Sequence, residues 1–209
     1  MKNLNKIFIS IIWLNQLFGV FGILSIDSNL FLSLSPISLI VTFLIVMYSN
    51  TKYSLRSQIS VIVIFLLSMI SEIIGVNSGL LFGSYYYGEN LGYSFYGVPL
   101  VIGLNWVVLT VSCGNIAIYI FKENKFLSIL FGSFLMLLLD IIMEQVSGDI
   151  DFWYFNDQNL TYNFITWFML GVCNQYLHQN YINQKNLIIS VNIYLSFIMF
   201  FLVLVFFLP

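Results

Sequence analysis

Asp140 and Glu144 stand four residues apart in the stretch LLLDIIMEQVSG, Leu137–Gly148. On a helix that spacing puts both carboxyls on one face, one turn apart. A third acid, Glu72, interrupts another strongly apolar run. Neighbouring carboxyls can divide the work of a general acid and a general base, because one can stay protonated while the other is ionised. Apart from Lys6 at the very start of the first, no Lys or Arg lies inside the long apolar runs to neutralise these acids. They must therefore be hydrated, hydrogen-bonded or held protonated. An acid at the centre of a membrane helix costs about 2.5–3.5 kcal/mol and less toward the interface.

The chain around them is 60% hydrophobic and 8% charged over 209 residues. Its mean hydropathy is +0.94. Soluble domains carry roughly a quarter charged residues, so a water-soluble globule is excluded. No basic patch suits a nucleic acid. Cys113 and Cys173 have no metal-ligand spacing, no metal site is expected, and both read as small apolar packing residues.

Apolar runs at 6–25, 30–49, 58–77, 98–120, 126–147, 161–178 and 187–208 are long enough to cross a hydrocarbon core of about 30 Å. The expected architecture is an all-α, polytopic membrane helix bundle of about seven transmembrane helices forming one integral membrane domain over 1–209. Pro36 is expected to kink the second span. The sixth is short and rich in Asn and aromatics. Lys2 and Lys6 before the first run resemble a signal peptide, but the run is too long and lacks a small-x-small cleavage site, so a retained helix is expected.

With seven spans, Lys2, Lys6, Lys52, Arg56, Lys122, Lys125 and Lys185 all fall on one side. The positive-inside rule makes that side the cytoplasm, with the N-terminus in and the C-terminus out. The expected location is a bacterial-type plasma (inner) membrane. Asp27, Glu89, Asp149, Asp151 and Asp157 fall on the outer side, and Glu123 alone among the loop acids is cytoplasmic. All three span acids then lie within roughly 12 Å of the outer boundary, with Asp140 deepest.

Two outer loops, NSGLLFGSYYYGENLGYSFYGVPL and SGDIDFWYFNDQNLTYNF, each follow an acid-bearing span. Their aromatics suit either an interfacial belt or a lid over the acids. Asn105 and Trp106 in span four, and Asn163 and Trp167 in span six, share the acids' depth. The halves look loosely repeated: acid, aromatic loop, then a helix opening with Asn and an aromatic.

Glu72-Ile-Ile-Gly75, Gly79, Phe82-Gly83-Ser-Tyr85-Tyr-Tyr87-Gly88, Gly97-Val-Pro99-Leu and Trp106 resemble the carotenoid biosynthesis membrane protein family. That family includes carotenoid 1,2-hydratases acting on acyclic ends of γ-carotene and of C50 bacterioruberin precursors. Asp140 and Glu144 are similar to its acidic helix motif, Trp153 to the first aromatic of its Trp-x-Trp, and Asn163-Phe164-x-x-Trp167 to its Asn-Phe-x-Gly-Trp. The likeness covers roughly 68–170. It departs at Gln145, Phe155 and Thr166, where the family often has Pro, Trp and Gly, and it lacks a second Gly-Val-Pro before Asn163.

The resemblance implies acid-catalysed addition of water to a terminal double bond, with no redox cofactor. Glu72, Asp140 and Glu144 are the implied catalytic residues; depth assigns Asp140, the deepest, as proton donor, with Glu144 or Glu72 orienting water and balancing charge. Phe82, Tyr85, Tyr87, Tyr96, Asn105, Trp106, Trp153, Asn163 and Trp167 are the implied substrate-binding set. The expected partners are a carotenoid, water, the lipid bilayer and other carotenoid enzymes. Two alternatives stay open: a carotene cyclase using the same carbocation, and a proton- or ion-coupled transporter. A retinal protein is disfavoured, because span seven holds no lysine for a Schiff base.

Overall fold

A computed structural model describes residues 2–25, 27–50, 54–156, 160–182 and 186–208. Lys52, Tyr53, Asp157 and Lys185, which entered the charge and aromatic sorting, lie outside the described residues. The helices are α1 (Lys2–Ile23), α2 (Ser28–Ser33), α3 (Ser35–Asn50), α4 (Leu55–Ser78), α5 (Leu100–Phe121), α6 (Lys125–Glu144), α7 (Thr161–Tyr181) and α8 (Leu187–Phe207). The chain is an all-α polytopic bundle. The second span is broken at Leu34 into α2 and α3, and Pro36 falls in the first turn of α3, where its missing N–H costs no helical bond.

Side-chain caps fix where several of these helices begin. Ser54 accepts a hydrogen bond from Ser57 N at 3.2 Å to start α4. Asn124 and Asn186 do the same for α6 and α8. α4 closes on Gly79, whose φ of +67° is the left-handed geometry glycine tolerates best.

Helix α5 is the centre of the bundle and packs against α3, α4, α6, α7 and α8. Its sequence is apolar all round, the pattern of a helix surrounded by others. Trp106, Val107, Leu109 and Val111 are accordingly fully buried.

Among the described residues, six helices are long and apolar enough to cross a membrane, counting Ser28–Asn50 as one. The seventh, α7, has the length but not the hydropathy. The reason is the side on which its polar residues sit. Asn163, Asn174, Gln175 and His178 are buried toward the bundle rather than facing lipid. Asn174 donates to Ser68 Oγ at 3.0 Å, and Gln175 donates to the Thr110 carbonyl at 2.9 Å. Polar side chains in membrane helices are tolerated when they find such partners.

The helix ends sort by chemistry. At one end Arg56 lies over the Tyr181 ring, Lys125 donates to Asn180, and Asn186 donates to Asn5. At the other end the two long aromatic connections meet. They are not the irregular loops the sequence suggests. Strand β1 (Tyr85–Tyr87) pairs with β4 (Trp153–Phe155), and β2 (Ser94–Phe95) pairs with β3 (Val98–Pro99). The β1–β4 pair is antiparallel, with Tyr85 opposite Phe155, Tyr86 opposite Tyr154 and Tyr87 opposite Trp153. Pairing satisfies backbone groups close to the bilayer, where exposed ones are costly.

Candidate active site

The period of two in a strand decides which aromatics face the acids. Tyr85 and Tyr87 point down from β1, while Tyr86 points away and stacks on Tyr154 at 5.2 Å on the outer face. The Tyr85 hydroxyl donates to Glu72 Oε2 at 2.5 Å, and the Tyr87 hydroxyl donates to the same oxygen at 2.8 Å. From α5, Trp106 Nε1 donates to Glu72 Oε1 at 2.8 Å. Three donors converge on one carboxyl, which is the complement an ionised carboxylate calls for. Burial, and then the neighbouring Glu72 charge, push both tyrosine phenols well above their ordinary pKa, so they stay protonated donors.

Gly75, one turn after Glu72, makes this approach possible. A Cβ there would stand 2.8 Å from the Phe82 ring and 2.9 Å from the Tyr85 hydroxyl. The spacing in Glu72-Ile-Ile-Gly75 thus places a carboxyl and a gap for its partner on one helix face.

The second acid group is organised by α7. Asn163 Nδ2 donates to Asp140 Oδ2 and to Glu144 Oε1, at 3.0 Å each. The two carboxyls are therefore held by the two hydrogens of a single amide. Trp153, from β4, donates through Nε1 to Glu144 Oε2 at 3.0 Å. Asp140 is fully buried, and its Oδ1 has no partner among the described residues. Helix α6 ends at Glu144, three residues before the predicted boundary at 147, so Glu144 terminates the helix and Asp140 lies one turn in.

Glu72, Asp140 and Glu144 line one cavity. Phe82, Tyr85, Tyr87, Asn105, Trp106, Trp153, Asn163 and Trp167 line it too. Every sequence-predicted site residue is brought together there except Tyr96. Tyr96 occupies the β2–β3 turn, 68% exposed, with a φ of +50°. It stays outside the cavity because β2 and β3 form their own hairpin rather than joining the β1–β4 ribbon.

The walls are aromatic. Trp106 and Trp167 stack, and Phe155 stacks on Tyr85 at 5.3 Å. Phe155, noted in the sequence only as a replacement for Trp, therefore lines the site, as do Ile102 and Met143. Met143 was legible as the residue three after Asp140 on the same face. Asp151 was missed as a lid clamp. Its Oδ2 accepts from the backbone N of Glu89 at 2.9 Å, and its Oδ1 accepts from the Tyr154 hydroxyl at 2.9 Å. Nothing in the loop composition marked it.

The fold and cavity define a class: a multi-pass membrane protein with three carboxyls gathered beneath an aromatic lid at one end of its bundle. Residues 34–209 match the family described as carotenoid biosynthesis protein, and the chain belongs to that family. Its role is in carotenoid biosynthesis. No curated protein and no solved structure matches the chain.

Proposed function

We propose that this protein is a carotenoid hydratase that adds water across the terminal 1,2 (1′,2′) double bond of an acyclic carotenoid end. The observation that carries the reading is the single Asn163 amide bound to both Asp140 and Glu144, beside Glu72, in one aromatic cavity. It supports an acid and a base acting on the same small group. Asp140, the innermost of the pair and with one carboxyl oxygen uncommitted, gives its proton to the less substituted alkene carbon. The alkene π electrons form the new C–H bond and leave a tertiary cation.

The faces of Trp106 and Trp167 and the Glu72 carboxylate balance that charge. Water adds to the cation as Glu144 takes one of its protons, giving a tertiary alcohol. That proton replaces the one Asp140 lost, so the net change is one water gained and no redox step. The lid and apolar walls limit how many waters compete. In this reading the basic end of the bundle is cytoplasmic, the lid faces outward from a bacterial-type plasma membrane, and water reaches the cavity from that side.

The test is expression in a bacterium that accumulates lycopene or γ-carotene, with pigment extracts analysed by mass and absorbance. A product one water heavier, with its chromophore intact, is expected. A β-ring product of unchanged mass assigns the protein to cyclisation, in which a neighbouring double bond captures the same cation. Unchanged pigment together with proton-coupled uptake in vesicles assigns it to transport.

A further inference from the structure

A larger cavity adjoins the acid pocket. It is walled by α1, the α2–α3 break, α5, the end of α6 and α8. Ile102, Asn105, Met143 and Trp153 line both cavities, so the two share one wall. The rest of the larger one is mostly apolar, with Phe31, Leu39, Phe197 and Phe201 among its lining. Along α1 it runs from Asn15 to Ile23, a depth of about 12 Å at 1.5 Å per residue. At its rim Phe18 and Leu34 are 65% and 42% exposed, which in a membrane bundle means facing lipid.

We propose that this cavity holds the polyene segment immediately behind the reacting end group, with the end group passing the Asn105 wall to reach Asp140. The proposal rests on the reading of the substrate as an acyclic carotenoid. Three observations carry it. The acid pocket is the smaller of the two, and the larger one is where room for a chain lies. The neighbour lies directly across a shared wall from it and is lined mostly by aromatic and aliphatic side chains, the surface a polyene needs. Its lipid-facing rim lets the remainder of a molecule comparable in length to the ~30 Å hydrocarbon core lie in the bilayer. At the shared wall, Asn105 Oδ1 is buried without a partner among the described residues.

The occupant separates from a phospholipid tail by experiment. Leu39→Trp fills the cavity from α3, and Leu34→Trp narrows its rim at a lipid-exposed position where the larger ring disturbs no core. Ile37→Trp, on the lipid face of α3 and 58% exposed, is the control. Each protein is purified from a lycopene-producing strain and its bound pigment measured by visible absorbance, its bound phospholipid by mass spectrometry.

At least a fivefold drop in pigment per protein is expected for Leu39→Trp and Leu34→Trp, with Ile37→Trp at the wild-type level. Should Leu39→Trp fail to fold, as judged by its size-exclusion profile, Leu34→Trp gives the reading alone. Wild-type pigment content in the folded cavity variants overturns the proposal. So does a wild-type protein that carries phospholipid instead of pigment and loses it in those variants. Pigment bound by the wild type and lost in the variants, with no hydrated product from any of them, upholds the chain cavity and removes the hydration reaction instead.

Discussion

The indoles of Trp106 and Trp167 lie stacked, 3.9 Å between ring centroids with 21° between their planes. Trp106 belongs to the helix that follows β1, and Trp167 to the helix that follows β4. Matching aromatics from the two acid-loop-helix units thus meet face to face beside the acids, and Trp106 is further fixed by its bond to Glu72. Such faces stabilise a nearby cation by about 0.5–2 kcal/mol. Trp167→Leu keeps an apolar side chain but removes the π face. Hydration should slow by roughly 2- to 30-fold, since each 1.36 kcal/mol is tenfold. Trp167→Phe, with a smaller ring, should fall between that and wild type. Initial rates against bound pigment, measured on purified protein, separate this from lost binding.

Asp140→Asn removes the proposed proton donor while keeping a side-chain oxygen for Asn163 to bind. The bundle should therefore assemble normally, with an unchanged size-exclusion profile. Loss of a positioned general acid costs about 10²–10⁴ in rate, so hydrated carotenoid should drop below detection in cell extracts. Glu144→Gln leaves the donor in place and removes the base, so it should retain measurable activity if water capture is the easier step. A fully active Asp140→Asn protein removes Asp140 from its assigned role.

The helical spans were legible because apolar length is a strong pattern, and the acids stood out against it. The depth match of Glu72 with Asp140 and Glu144 followed from seven alternating passes, and the cavity joins them. What stayed hidden was anything set by long-range pairing. The three-residue strands Tyr85–Tyr87 and Trp153–Phe155 are too short and too uniformly aromatic to show alternation, and their partner lies some 70 residues away, so the ribbon that sorts inward from outward aromatics was invisible. Tyr96 looked like Tyr85 and Tyr87 in composition for the same reason. The length of α7 was legible but not its buried polar face, because hydropathy averages over both sides of a helix.

The lid's geometry depends on a contact that only glycine permits. A Cβ on Gly88 would lie 2.2 Å from Asp151 Oδ1 and 2.4 Å from the Asp151 backbone oxygen. Asp151 itself has a φ of +53°, a strained setting for a non-glycine residue, and is held there by its bonds to Glu89 N and Tyr154. Gly88→Ala should therefore push β1 and β4 apart rather than be absorbed. The expected results are faster hydrogen exchange at 85–87 and 153–155 and a drop in activity of tenfold or more. The global melting temperature should move little, because the helices do not rely on the lid. Unchanged exchange in the ribbon would show that the lid accommodates the methyl group.

The phenols that bind Glu72 give the protein an alkaline limit. Burial, and then the Glu72 charge, raise the folded-state pKa of Tyr85 and Tyr87 above the ordinary value of 10.0. A raised folded value means the folded protein keeps protons that the unfolded chain has released. Their contribution to stability is complete below pH 10.0 and is lost as pH rises through the folded values. Melting temperature should thus be insensitive to these two groups between neutrality and pH 9 and should fall above 10. Tyr85→Phe has no proton to lose and should flatten part of that alkaline fall. At neutral pH it should be less stable than wild type by roughly 1.5–3 kcal/mol, the worth of a hydrogen bond to a charged group. Thermal melts in detergent from pH 7 to pH 11, run on wild type, Tyr85→Phe and Tyr87→Phe, check both signs at once. A Tyr85→Phe protein as stable as wild type at neutrality would mean that Glu72 does not depend on this phenol.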